Sequence, residues 1–383
     1  MKRLLSWLLL LLVLGLMLAT AWYLPLPVPP YLDFQVIYHA GMGLLRGIPL
    51  YDHESQVEMI ANLAEVQAEQ VFVLPFPYPP WYALLAIPFV LLPIQIAARL
   101  WLELNVFMLM LSVFLMTEGW KPWKRLVAFP LALMFLPVLG ALFVGQYVFP
   151  VLLGIALFVY ALRHQMPLLS ALALVLLTFK PHLGGLILLI GLVYLWMRND
   201  AYGKRALWTS SFVGVFLFGI GFLADPIWPL NYFQSLTKFG SIETVKSCDI
   251  CASIPVTLSH LIGLGGIQSS FWIASGLLLV FVLFLYGKRQ QLFHSPDWLV
   301  ATLALITLLS SPYLFNYDFV LLLVPLFLMA GQASTWLEWS LIGIIYLIPW
   351  MGLGVFGRNG NITLNLSALF LAGWLYQRLT KFA

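Results

Sequence analysis

The chain has 383 residues, of which 62% are hydrophobic and only 9% charged. Soluble domains carry about 25% charged residues, so a water-soluble fold is excluded and a polytopic membrane protein remains. The formal net charge of +4 is spread over short basic clusters between apolar runs, as topology determinants are. No basic run is long enough to track a phosphate backbone, so no nucleic-acid partner is expected.

Leu4 to Leu24 is an apolar run of about 20 residues, enough to span a bilayer. Lys2 and Arg3 precede it and Ala19-Thr20-Ala21 lies near its end, so it has the parts of a signal peptide. The many apolar runs that follow favour an uncleaved anchor. The positive-inside rule puts the N-terminus in the cytoplasm and delivers Tyr31 to the outer side.

The interval from Tyr31 to Pro80 is the first long polar stretch. It holds Asp33, Asp52, Glu54, Glu58, Glu65 and Glu69 against one basic side chain, Arg46. A short helix is expected from Phe34 to Arg46, with Asp33 placed to cap it and Gly47 and Pro49 to stop it. A second, from Glu54 to Val71, carries its glutamates on one face and would lie along the membrane surface. Residues 81–95, broken by Pro88 and Pro93 and followed by Arg99, read as a helix dipping into the outer interface. Spans are expected at 100–116, 126–144, 148–162, 167–179, 183–197, 206–224, 271–287, 298–310, 317–330, 336–356 and 363–376. Their alternation puts most of the 19 Lys and Arg inside. Arg46, Arg99, Lys180, Lys238, Lys246 and Arg358 fall outside. The reading is an all-α polytopic membrane protein with about 11–13 transmembrane helices and juxtamembrane helices in the first outer loop. One integral membrane domain, 1–383, divides into the first span at 4–24, an outer loop at 25–98 and the remaining bundle at 99–379. A second outer loop covers about 225–270.

The two cysteines, Cys248 and Cys251, lie in that second loop as C-D-I-C. No second pair completes a zinc site and no thioredoxin-like pattern surrounds them. They are either unremarkable or, on the outer side, a small disulfide. Neither a metal nor a cofactor is expected.

The charges that topology leaves unexplained carry the chemistry. Asp33, just after the first span, is either a helix cap or a general base. Transfer of a sugar to a hydroxyl needs a carboxylate within hydrogen-bond reach of that hydroxyl. Lys180 and His182 flank Pro181 at the end of an apolar run. Ionisable groups at that depth are costly and usually functional; they suit a phosphate, or Lys180 simply snorkels. Arg46 either neutralises phosphate or pairs with the acidic face of 54–69. Gln146 and Tyr147, after Gly145, either bind sugar hydroxyls or form a polar turn. His39 reads as structural. Asn316, Tyr317 and Asp318 either line the same cavity or cap the next helix.

In order, the chain presents Asp33 with its Tyr-His-Ala-Gly helix, Gly47-Ile48-Pro49-Leu50-Tyr51-Asp52 and Tyr78-Pro79-Pro80. Gly145-Gln146, Phe179-Lys180-Pro181-His182 and Ser310-Ser311-Pro312-Tyr313 follow. This ordered set, from about residue 30 to 330, resembles glycosyltransferase family 87, polyprenyl-phosphate-mannose-dependent mannosyltransferases of the GT-C superfamily. The resemblance implies a GT-C-like helical bundle, an inverting transfer and a polyprenyl-phosphate sugar donor. The acceptor would be a glycolipid or glycan, and the site would face the outer side of the cell membrane. It implies that Asp33 is the general base and that Lys180 and His182 contact the donor phosphate; Arg46 joins that set on its charge alone. Asp52, Gln146, Tyr147, Tyr78 and Asn316 would line the sugar cavity. One departure is that the loop after Ser311-Pro312 often carries His in that family, whereas here it reads Tyr313-Leu314-Phe315-Asn316. Either Asn316 or Lys180 takes over that contact, or the donor differs.

Two other readings compete. A transporter or flippase for a lipid-linked or small polar substrate would show midplane charges and repeated halves with broken helices. Neither is evident. A non-catalytic scaffold of an envelope complex would have no need of Asp33.

Overall fold

Prolines and left-handed residues set where the helices begin and end. The computed structural model describes residues 32–71, 73–241, 251–264, 267–357 and 362–381, with isolated positions between 12 and 23. The expected first span, Lys246, Cys248 and the Arg358–Asn361 turn lie outside the described residues. Eighteen α-helices, two 3₁₀ turns and no strand occur among the described residues.

The polar interval folds as α1 (Leu32–Leu45) and α2 (His53–Ala64). Asp33 sits inside the first turn of α1 rather than capping it, one difference from expectation. The second is length. α2 stops at Ala64 because Glu65 turns left-handed, with φ of 55°, and donates its N–H to Ala61 O; a 3₁₀ turn follows at Ala68–Gln70. α3 (Pro80–Val90) is short and apolar. α4 (Ile94–Met116) starts earlier than expected, so Arg99 lies inside it rather than at a break.

The expected span 126–144 is two helices, α5 (Pro122–Leu133) and α6 (Leu136–Val144), bent by 54°. Pro130 and Pro137 remove backbone donors on either side of the bend, which is where prolines kink helices. α7 (Val148–His164), α8 (Pro167–Leu177), α9 (Pro181–Arg198) and α10 (Ala201–Ala224) follow with short turns. Pro sits in the first turn of α3, α5, α6, α8 and α9, where its missing N–H costs nothing. The second polar loop holds α11 (Trp228–Ser241) and α12 (Ile254–Leu261). Then come α13 (Ile267–Gly287), α14 (Arg289–His294) and α15 (Pro296–Ser310). A 3₁₀ turn (Asn316–Leu322) leads into α16 (Leu323–Gln332), and α17 (Trp336–Phe356) and α18 (Thr363–Lys381) close the chain.

α4, α9, α10, α13 and α17 are long and apolar enough to cross a membrane; the bent α5–α6 pair adds a sixth. Five further apolar helices are shorter. The arrangement is that of a multi-pass membrane protein. α7 and α15 are buried almost throughout and form the centre of the bundle. α10 and α13 do the reverse, exposing Trp208, Phe212, Val215, Trp272, Leu279 and Val280. A helix apolar on its exposed face belongs in lipid.

Polar groups gather at the two ends of the bundle. At one, Arg163 pairs with Glu118 and Asp297 while His164 meets Glu118, joining the ends of α4, α7 and α15. At the other lie Asp33, Gln146, Lys180 and the turn after α15.

Candidate active site

Asp33 is positioned by the packing of α1. Phe34, fully buried, stacks on Trp101 of α4 at 5.6 Å and meets Phe89 of α3 edge-on. One turn on, the Tyr38 hydroxyl donates to Leu92 O at 2.8 Å. These contacts fix α1 against α3 and α4. The Tyr147 hydroxyl donates to the Asp33 carbonyl.

Gln146 arrives through the turn between α6 and α7. Gly145 ends α6 in the left-handed region, φ of 70°, which glycine adopts without strain. Its carbonyl accepts from Trp101 Nε1 at 2.9 Å, so the indole that holds Phe34 also holds this turn. The Gln146 amide then donates from Nε2 to Asp33 Oδ2 at 2.5 Å.

Lys180 occupies the cap position of α9, immediately before Pro181. It is 5% exposed, so it is not a snorkelling interfacial lysine. Its ammonium donates to Gln146 Oε1 at 2.8 Å and to Asp318 Oδ1, and lies 4.6 Å from the Tyr317 ring centroid. Asp318 is 0% exposed and also accepts from Phe315 N at 2.9 Å. His182 Nε2 is 3.9 Å from Asp318 Oδ2, and the Tyr313 hydroxyl meets His182 Nδ1 at 3.3 Å. A continuous polar chain therefore runs Asp33–Gln146–Lys180–Asp318, with His182 and Tyr313 beyond.

These groups face a cavity of about 230 Å³ that Asp33, Gln146, Lys180 and His182 line together with Tyr78, Tyr232, Tyr313, Phe315 and Tyr317. Its walls are tied down locally. The Tyr51 hydroxyl and Ser235 Oγ donate to the carbonyls of Tyr78 and Phe76, at 2.9 and 2.6 Å. On the far side, Ser253 Oγ donates to Ser311 O and Ala252 N to Leu314 O. Cys251, next to them, is disulfide-bonded.

Burial in this cavity lifts the Asp33 carboxyl to about 6. Lys180 and the Gln146 hydrogen bond oppose the rise, and the negative charge of Asp318 adds to it. An aspartate so placed is still largely ionised at neutral pH and holds a proton weakly below it.

Of the residues singled out from sequence, Asp33, Tyr78, Gln146, Lys180 and His182 meet at the cavity. Tyr147 stands behind it, fully buried against Tyr78. Three do not reach it. Arg46 is exposed past the end of α1. Asp52 is exposed and caps α2, accepting from Ser55 N at 3.3 Å. Asn316 turns away towards Gly140 of α6. Of the trio Asn316, Tyr317 and Asp318, offered either to the cavity or to a helix cap, Tyr317 lines the cavity and Asp318 joins its polar chain through Lys180; Tyr313, which also lines it, is the residue that the sequence reading does not propose. A signal for Asp318 existed: a carboxylate inside the apolar run Phe315–Phe327 is the kind of intramembrane charge that calls for a partner.

The sequence model of glycosyltransferase family 87 matches residues 76–312. That interval contains Tyr78, Gln146, Lys180 and His182; Asp33, Tyr313 and Asp318 lie outside it. No curated protein and no solved structure matches the chain.

Proposed function

The chain belongs to glycosyltransferase family 87, and from that premise we propose that it transfers a sugar from a polyprenyl-phosphate donor to an acceptor hydroxyl, with Asp33 as general base. As the acceptor oxygen attacks the anomeric carbon, its proton passes to the Asp33 carboxylate. The bond from that carbon to the phosphate oxygen breaks, and polyprenyl phosphate leaves. A single displacement of this kind inverts the anomeric centre. The sugar is mannose on the resemblance noted above, and the acceptor a glycolipid or glycan.

The observation that carries the reading is the Asp33 carboxyl itself. It lines a small cavity, is oriented by Gln146, and is held at about 6. A base works best when its pKa lies near the working pH, and few carboxylates outside a site are tuned there. The aromatic walls, Tyr78, Tyr232, Tyr313 and Tyr317, offer apolar faces and hydroxyls to a sugar ring. His182 and Tyr313, which follow Asp318 in the polar chain from Asp33, suit the donor phosphate.

Placement at the outer face of the cell membrane is supported by two features. Lys121, Arg163, Arg198 and Lys288 belong to the opposite end of the bundle, as the positive-inside rule requires of the cytoplasmic side. The disulfide at Cys251 suits an oxidising compartment. The reading is tested by assaying purified protein against a panel of polyprenyl-phosphate sugars and a membrane lipid extract as acceptor. Sugar transfer from one of them is expected. Transfer only from nucleotide sugars would overturn it.

A further inference from the structure

Lys180 would be the natural cation for a donor phosphate, but its donors are already committed. An ammonium has three N–H groups and no acceptor. One goes to Gln146 Oε1 and one to Asp318 Oδ1, and the Tyr317 ring covers a further side. Its charge is compensated by a carboxylate that is 0% exposed. A phosphate entering here would meet a neutral pair, not a free cation.

The same geometry shows what the lysine does accomplish. A glutamine amide can turn either way, since its oxygen and nitrogen are nearly the same size. Lys180 can only donate, so the oxygen of Gln146 must face it. The NH₂ of Gln146 must then face Asp33, and it reaches Oδ2 at 2.5 Å. The flipped amide would set donor against ammonium and acceptor against carboxylate. Lys180, at 2.8 Å, and more weakly the Tyr147 N–H, at 3.3 Å, therefore set the orientation of Gln146, and Gln146 sets that of Asp33. Asp318 is the buried counter-charge of that ammonium, and a buried charge without a partner is costly. Phe315 N–H holds Asp318 in turn.

We propose that Lys180 and Asp318 form a positioning pair for Asp33, acting through the Gln146 amide, and that the donor phosphate is not their ligand. This rests on the reading of Asp33 as the base. The charged groups acting on Asp33 are Lys180 and Asp318. Tyr78, Tyr147 and Tyr317 also face it and carry no charge. His182 stands one step further off, beyond Asp318.

The test is Lys180→Met, with Lys180→Met/Asp318→Asn as a second variant that leaves no lone buried charge. Infrared pH-difference spectra report the Asp33 carboxyl, its band assigned by its loss in Asp33→Asn. Kinetics use a polyprenyl-phosphate mannose donor. In both variants the Asp33 band is expected to titrate at higher pH, by about one unit, because the attraction of Lys180 outweighs the repulsion of Asp318. Turnover should fall roughly 10-fold or more, with donor KM little changed, since the loss is felt at the base and not in donor binding. A raised donor KM with normal turnover and an unmoved Asp33 band would overturn the proposal and return Lys180 to the phosphate. Wild-type turnover in the double variant would overturn it too. The infrared result stands apart from the base assignment: were Asp33→Asn active, that reading would fail while the coupling of Lys180 to Asp33 was still measured.

Discussion

Replacing Asp33 by asparagine is expected to stabilise the protein at neutral pH while abolishing transfer. The reasoning is linkage. The carboxyl titrates at about 6 in the folded protein against an ordinary value of 3.8. Between those values the folded state binds a proton that the unfolded chain has released, so stability falls as pH climbs through that window. Below about 4 both states are protonated and the penalty vanishes; above 6 it is fully present. At 1.36 kcal/mol per pH unit it amounts to roughly 3 kcal/mol at pH 7, an upper limit because the carboxyl faces a cavity that admits water. Asparagine keeps the shape, keeps an acceptor for Gln146 Nε2, and carries no charge to desolvate. Melting in detergent, followed by the fluorescence of the 15 tryptophans, should show the variant melting a few degrees above wild type at pH 7.5 and level with it at pH 4. A variant that melts lower at pH 7.5, or gains equally at both pH values, would refute the idea that the carboxylate is held at a cost.

Three further outcomes follow from the same geometry. The turnover rate of the wild type should fall about tenfold per pH unit below 6, as Asp33 takes up its proton and ceases to be a base; a rate flat from pH 7 to 5 would exclude it. Asp52→Ala should lose the α2 cap, about 1 kcal/mol, and leave transfer intact, because Asp52 is exposed and away from the cavity; thermal melts and the transfer assay check both halves. Gly184→Ala should lower both folded yield and activity, since a Cβ there would lie 2.0 Å from Leu177 O, and α9 could relieve the clash only by carrying Lys180 and His182 out of place. Membrane-fraction yield and residual turnover measure it, and normal values for both would show that the helix pair is looser than described.

Much of the fold was legible because membrane helices announce themselves in hydropathy and charge. Pro181 and Arg198 bound α9, and Arg163 closes the apolar run of α7, within a residue or two of expectation. The bend between α5 and α6 was hidden by a continuous apolar run, although Pro130 and Pro137 mark its two sides. The end of α2 at Glu65 was missed for a different reason: helical periodicity continues past it, and no glycine flags the left-handed turn. At the site, motif order singled out Asp33, Gln146, Lys180 and His182, which lie together. It did not reveal the pairing of Lys180 with Asp318, 138 residues apart, because a carboxylate inside an apolar run calls for a partner without saying which residue supplies it. Asn316 and Asp318 stand two residues apart in the 3₁₀ turn Asn316–Leu322, yet Asp318 meets Lys180 while Asn316 lies against Gly140 of α6.

The central claim is that Asp33 takes the acceptor's proton. The most direct measurement pairs transfer with donor binding in Asp33→Asn, using purified protein and a polyprenyl-phosphate mannose donor. The account predicts that donor binding persists while transfer falls by roughly 10²–10⁴-fold. Transfer near the wild-type rate in a folded Asp33→Asn protein that still binds donor would contradict it and place the base elsewhere.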